Sequence, residues 1–361
     1  MPDYSPSPPA VPAPYHGSLD YVELERLGLD PDEVLDFSVN SNPFGPSPRV
    51  REALARVPLD RYPDRESLAL RRALSAQINL PLVQLLAGNG TAELLWLVAL
   101  AFLGPGDRVL VVGPTFGEYE RVSALMGATV ERWTAGPEDG FTIDSPDVAR
   151  QLDRGQPHLA FICNPNNPTG AYLPPEVIGG WAMAHPQTLF VVDEAYLAFA
   201  PDGHSVLRMH AANVLVLRSM TKDYALAALR LGYAAGPEPV IAALIQVRPA
   251  WNVNALAQAA GVAALLDQEH LSSSLAALAQ AKTALEANLI DLGWVVVPSM
   301  THYFLAPVGD GAALRESLLR HGILVRDCAS FGLPAYVRIA TRRPTDNIRL
   351  VETLRALRRG Q

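Results

Sequence analysis

Lys222 stands just beyond a short apolar run, Val214 to Leu217, that reads as a buried strand. Two hydroxyl residues, Ser219 and Thr221, precede it, and eight residues further on Arg230 introduces the next apolar run. A lysine between hydroxyls and an arginine at a strand end can hold a phosphorylated aldehyde as a Schiff base. Attack on the carbonyl needs a neutral amine, and partial burial beside other cations lowers a lysine pKa in that direction. Taken alone, Lys222 reads as a solvated loop residue, as most lysines are, so the rest of the chain must decide.

A second candidate is Asp193, which ends the apolar strand Phe190-Val-Val. A carboxylate buried there without a partner costs several kcal/mol. The partner is either a neighbouring Lys or Arg, or the protonated ring nitrogen of pyridoxal phosphate, which the carboxylate would keep charged so that the ring withdraws electrons. Asn167 and Tyr196 can donate to a ring phenolate oxygen. Asn167, in Asn-Pro-Thr-Gly, suits a turn equally well, and Tyr196 suits a core position with a satisfied hydroxyl. Phe116 can stack on an aromatic ring or simply fill core. Gly88-Asn89-Gly90-Thr91-Ala92-Glu93 runs into the apolar helix Leu94 to Leu103. Free backbone amides at such a helix start, beside glycine and a hydroxyl, make an anion site or only a capped helix.

The elements that must position these residues alternate from Asp107 to Tyr233. Strands are expected at Val109–Val112, Leu159–Cys163, Leu189–Val192, Val214–Leu217 and Leu231–Ala235, with helices at Glu118–Met126 and Pro174–Ala184. Near-continuous apolar strands separated by helices imply an α/β fold with a mostly parallel sheet covered on both faces. Ligands bind at the carboxyl ends of such strands, where Pro114 to Phe116, Asn164 to Gly170, Asp193 to Tyr196 and Ser219 to Lys222 all fall.

Before this region, residues 1–14 read as a disordered Pro-rich arm. Tyr21–Leu27 is helical, and Val34–Val39 is a strand running into the turn-rich Asn40-Ser-Asn42-Pro-Phe-Gly-Pro46. Helices at Arg49–Arg56 and Leu68–Gln77 flank Arg61-Tyr-Pro-Asp64. After it come helices at Pro239–Val247 and across Asn254–Leu292. Strands at Trp294–Val297, Tyr303–Val308, Ile323–Arg326 and Val337–Ala340 follow, with helices at Ala313–His321 and Asn347–Arg358: a smaller α+β domain. The expected organisation is an arm at 1–14, an N-terminal segment at 15–45 serving the small domain and the site, a large domain at 46–252, and linking helices with the small domain at 253–361.

The 361 residues, 49% hydrophobic, are enough for a sizeable core. A net charge of -8 and a pI near 5.5 argue against nucleic acid as the main partner. Cys163 and Cys328 are far apart and offer neither a disulfide framework nor metal spacing. Met1 to Pro14 lacks the features of a signal peptide, and the apolar run Leu94 to Leu103 is too short to span a bilayer, so a cytoplasmic protein is expected with no membrane partner. Neither GxxxxGK[ST] nor GxGxxG follows the first strands, which excludes a P-loop or dinucleotide-binding protein.

Asn164-Pro-Asn-Asn167-Pro-Thr-Gly170, Asp193-Glu-Ala-Tyr196, Ser219-Met-Thr-Lys222 with Arg230, and Arg338 in Tyr336-Val-Arg-Ile-Ala together resemble the fold-type I pyridoxal-phosphate (PLP) enzymes, the class I/II aminotransferases, over roughly residues 15–358. The resemblance implies a large domain with a mostly parallel seven-stranded sheet and a homodimer with active sites at the subunit interface. It implies a catalytic set of Lys222, the Schiff-base lysine and proton shuttle, Asp193 on the ring nitrogen and Tyr196, with Asn167, on the phenolate oxygen. Gly90, Thr91, Ser219 and Arg230 would hold the cofactor phosphate, Ala92 and Thr221 would also touch the cofactor, and Phe116 would stack on its ring. Arg338 would bind a substrate carboxylate as a bidentate fork. A non-catalytic ligand-sensing version of this fold is opposed by the presence of both Lys222 and Asp193.

Within the family the chain is similar to threonine-phosphate decarboxylases and to histidinol-phosphate aminotransferases, both of which act on small phosphorylated amines. His16-Gly17, Leu35-Asp-Phe-Ser38, Arg61-Tyr-Pro-Asp64, Trp251-Asn-Val-Asn254, Arg326-Asp-Cys328 and Arg342 put the decarboxylase first and the transaminase, passing the amino group to 2-oxoglutarate, second. On either reading Arg326 would hold the substrate phosphate, with His16 and Asn42 nearby and Arg342 adding charge. Two residues depart from the family pattern, Asp223 after the lysine and His302 in Ser299-Met-Thr-His-Tyr303. They either alter substrate choice or face solvent.

Overall fold

The computed structural model describes residues 17–359, so the Pro-rich arm 1–14 and His16 lie outside the described residues. The strands are β1 (Leu35–Asp36), β2 (Leu85–Gly88), β3 (Arg108–Gly113), β4 (Thr129–Thr134), β5 (Leu159–Cys163) and β6 (Leu189–Asp193). They continue with β7 (Val214–Ser219), β8 (Gly232–Ala235), β9 (Tyr303–Pro307), β10 (Ile323–Leu324), β11 (Arg326–Asp327) and β12 (Tyr336–Ala340). Seven of them form one sheet in the order β2-β8-β7-β6-β5-β3-β4. All ladders in it are parallel except those of β8, which runs against both neighbours. Strands β5 to β8 are almost wholly apolar and buried because helices cover both faces.

The direction of β8 has a consequence for the site. The carboxyl ends of β2, β3, β5, β6 and β7 share one edge with the amino end of β8, and Gly232 pairs there with both Gly88 and Ser219. The turns after Gly88, Gly113, Cys163, Asp193 and Ser219 therefore converge with Arg230.

A second sheet, β11-β12-β9, packs with helices Gln268–Asp291 and Pro344–Arg359 around Leu285, Phe304, Val325, Ile339 and Leu350. Strand β1 pairs in parallel with β10, tying the N-terminal segment to this layer. Three expected strands change here. Val34–Val39 is a strand only at Leu35–Asp36, because Asp36 Oδ1 accepts from the amide and hydroxyl of Ser38 at 2.8 and 2.6 Å and turns the chain. Trp294–Val297 is not a strand: Val297 N reaches Leu305 O, but Pro298 has no amide to continue the ladder. Ile323–Arg326 divides at Val325 between two sheets. The sheet gains β2 and β4, and the apolar helix begins at Gly90 rather than Leu94. Among the described residues no helix is long and apolar enough to cross a membrane.

Candidate active site

The convergence at Gly232 builds an anion cradle. A Cβ at Gly232 would lie 2.8 Å from Arg218 O and 3.0 Å from Thr91 N, so only glycine lets the three segments meet. Gly90 has φ +76, and its backbone lies close under the Arg230 guanidinium: a Cβ there would stand 3.1 Å from Nη2. Helix Gly90–Phe102 starts at this point with its first amides unpaired within the helix. Ser219 Oγ and Thr221 Oγ1 lie 2.7 Å apart, both buried. Arg230 is steadied by donating from Nη1 to Ala227 O at 3.0 Å.

Lys222 sits beside this cradle. Its carbonyl accepts from Asn42 N at 2.9 Å, which anchors the loop. Burial, then Arg338 and Arg230, bring its amine down to about 8, against the pull of Asp193. Asp193, at the end of β6, is 5% exposed. Its Oδ2 accepts from Tyr119 Oη at 2.8 Å and its Oδ1 from Ala195 N at 3.0 Å. Burial raises its carboxyl above the ordinary range, and these two donors and Lys222 oppose the rise. The adjoining Glu194 is fully employed: Arg218 Nε donates to it at 2.9 Å, Ser205 Oγ at 2.7 Å and Val206 N at 2.8 Å. Of the two buried carboxylates, Asp193 is the one without a strong cation on it.

A cavity of about 280 Å³ opens above this floor, with Ala92, Phe116, Asn167, Tyr196, Lys222 and Arg230 among its walls. Arg326 and Arg338 complete it. They are directly opposite each other in the β11–β12 ladder, 2% and 4% exposed. Arg326 Nη2 donates to Ser330 Oγ at 2.6 Å, and its guanidinium lies 5.4 Å from the Phe331 ring centre. Arg338 donates to Asn167 Oδ1 and to Ser38 O, and lies 5.5 Å over the Tyr303 ring. With its oxygen held by Arg338, Asn167 is left with Nδ2 as its donor. Tyr196 packs edge-on against Tyr303 at 5.0 Å.

Two expected substrate residues are elsewhere. Asn42 spends its Nδ2 on Asp223 O (3.0 Å) and Ser274 Oγ (2.8 Å), and its Oδ1 on Phe44 N (3.1 Å), so it locks loops together. Arg342 is drawn off by Asp346 Oδ2 at 2.9 Å and Asp36 O at 3.1 Å. The two departures from the family pattern do not face solvent. Asp223 is half-buried, and burial pushes its carboxyl up to about 7, against the Tyr224 amide and Arg218. His302 is 3% exposed and stacks 3.9 Å from Phe199. Burial, then Arg338, Lys222 and Lys282, hold its pKa well below the usual histidine value.

The model of the family described as "Aminotransferase class I and II" matches residues 32–354. The chain belongs to the class I and II aminotransferases. It is 40% identical to a histidinol-phosphate aminotransferase of Symbiobacterium thermophilum, with 95% of each chain covered. A histidinol-phosphate aminotransferase 2 of Pseudomonas fluorescens is 36% identical, with 96% of each covered. Among solved structures, the histidinol-phosphate aminotransferase of Sinorhizobium meliloti in complex with pyridoxal 5'-phosphate superposes with a TM-score of 0.84 at 25% identity, covering 92% of this chain and 94% of that one. The fold is that of the fold-type I enzymes, and this aminotransferase uses pyridoxal phosphate as cofactor.

The residues present fit that group. A phosphate monoester matches a cradle of helix amides, two hydroxyls and a guanidinium. A cationic ring nitrogen matches the buried Asp193 carboxylate. Two contributors were not anticipated from sequence. Tyr119, wholly buried and stacked on Phe161 at 5.1 Å, is the group that fixes Asp193. Glu118, 8% exposed, lines the cavity. Their only sequence signal is their place one and two residues after Phe116-Gly117, at the start of helix Glu118–Leu125.

Proposed function

We propose that this aminotransferase moves the amino group of histidinol phosphate to 2-oxoglutarate. The observation that carries the reading is the opposed pair Arg326 and Arg338, buried side by side on the wall of the lysine cavity. Like charges directly across a ladder repel, and a dianion between them relieves that repulsion. A phosphate does this in one half-reaction, and the two carboxylates of the keto acid do it in the other, so one clamp serves both partners. The relatives named above favour this transaminase reading over the decarboxylase reading placed first from sequence.

Bound pyridoxal phosphate supplies the aldehyde that takes up the amine and a ring that accepts the electron pair left at the substrate Cα. Asp193, fixed by Tyr119 and the Ala195 amide, would keep the ring nitrogen charged. Asn167 Nδ2 and the Tyr196 hydroxyl would donate to the phenolate oxygen, and Phe116 would cover the ring. Gly90, Thr91, Ala92, Ser219, Thr221 and Arg230 would hold the phosphate. Lys222, its pKa lowered to about 8, would carry the proton from Cα to the carbon that becomes aminated. Arg326 and Arg338 would set the substrate so that its Cα–H faces Lys222.

The reading includes a homodimer, with residues 46–252 as the cofactor-binding domain and 253–361 as linking helices and small domain. Support for the dimer is the stacked pair Tyr62 and Trp251, ring centres 4.7 Å apart, 81% and 48% exposed. They adjoin Asn252, which donates to Glu93 at the start of the phosphate helix at 2.8 Å.

The clamp is tested by Arg326→Ala. Removing one partner of a buried charged contact raises KM for histidinol phosphate by at least about 30-fold, and raises KM for unphosphorylated histidinol by far less. Equal effects on the two substrates in steady-state kinetics would remove Arg326 from phosphate binding.

A further inference from the structure

The cavity wall carries Lys222, Arg230, Arg326 and Arg338, and among the described residues lining it a single carboxylate, Glu118. That carboxylate is 8% exposed, opens helix Glu118–Leu125, and has Arg121 3.6 Å away one turn on. In a pocket built to attract anions, a buried carboxylate weakens the binding of a purely anionic ligand, unless the ligand also brings a positive or N–H donor group to meet it.

From this placement we propose that Glu118 is a specificity-determining residue that receives the imidazole end of the substrate through a charge-assisted hydrogen bond from a ring N–H. The inference rests on the histidinol-phosphate reading. The substrate then spans two poles, its phosphate between Arg326 and Arg338 and its imidazole at Glu118, with the reacting amine toward Lys222. The α-amino acid partner has no such ring and makes no use of Glu118. The carboxylate thus separates the two substrates that share one arginine clamp: it contributes affinity to an imidazole-bearing phosphate and none to a simple alkyl phosphate.

The test uses two ligands without an amine, which cannot react: 3-(imidazol-4-yl)propyl phosphate and butyl phosphate. Their dissociation constants are measured calorimetrically on the cofactor-loaded wild type, on Glu118→Gln and on Glu118→Asp. The Gln variant is expected to bind the imidazole ligand roughly ten- to a hundredfold more weakly, the worth of a hydrogen bond to a charged group, with butyl phosphate bound as tightly as before or more tightly. Glu118→Asp, which keeps the charge on a shorter arm, regains part of the preference. Equal weakening of both ligands means that Glu118 acts only through the shared arginines, and overturns the proposal. Unchanged binding of the imidazole ligand overturns it too. Wild-type turnover of histidinol phosphate is measured alongside: its absence sinks the function reading itself, whereas turnover with an unselective Glu118→Gln effect sinks only the role of Glu118.

Discussion

Replacing Lys222 by alanine lowers amino-group transfer by about 10⁴-fold or more, as removal of a group that both bonds the cofactor and moves the proton does in other enzymes. The variant still collects pyridoxal phosphate, because the cradle of Gly90, Ser219, Thr221 and Arg230 is untouched, but the visible absorbance of the lysine-bound cofactor is gone. The same residue has a pH signature in the wild type. Burial, Arg338 and Arg230 bring the amine from its ordinary 10.5 to about 8. The neutral, reactive form therefore prevails above about pH 8 and is lost as pH falls. Uptake of the cofactor by apoprotein is expected to quicken with pH and level off above that point. A retained absorbance and turnover in Lys222→Ala would show that another amine does the work.

The second large effect belongs to Asp193→Asn. The amide has the same shape: its oxygen can keep the Ala195 N–H, and its Nδ2 can donate to the Tyr119 hydroxyl in place of the bond that Tyr119 now donates, so the fold survives. What is lost is the negative charge proposed to keep the ring nitrogen protonated, and kcat is expected to fall by about 10³-fold with a much smaller change in the KM values. Stopped-flow measurement of each half-reaction should show the loss in both, since both need the ring as electron acceptor. A loss confined to KM would mean that Asp193 only helps to seat the cofactor.

The layout of the large sheet was legible because β5, β6 and β7 are unbroken apolar runs, each ending in a polar cluster. Strand β4 was missed because Glu131 and Arg132 interrupt it at the sheet edge, where one side is exposed. Strand β2 was missed because four residues, Leu-Leu-Ala-Gly, carry no period. The reversed direction of β8, which brings Arg230 to the cradle, is set by pairing between distant segments and leaves no local mark.

The same limit applies to the site. Lys222 and Asp193 could be singled out because each is a charged residue at the end of a buried strand, although their chemical assignment leaned on resemblance. Nothing in the spacing of Arg326 and Arg338 shows that they face each other; the ladder does. Arg342 and Asn42 read as anion-binding types, but nearby acceptors claim them first. Tyr119 reads as one more apolar helix residue until its hydroxyl is seen on Asp193.

The most direct test of the transaminase reading is a single turnover of the cofactor-loaded protein with histidinol phosphate and no keto acid, read by absorbance and by mass spectrometry of the products. One equivalent of the corresponding keto phosphate per active site is expected, with conversion of the cofactor to its amine form and recovery of the starting spectrum on adding 2-oxoglutarate. An unchanged cofactor spectrum with histidinol phosphate, together with CO₂ release from O-phosphothreonine, would contradict it and restore the decarboxylase reading.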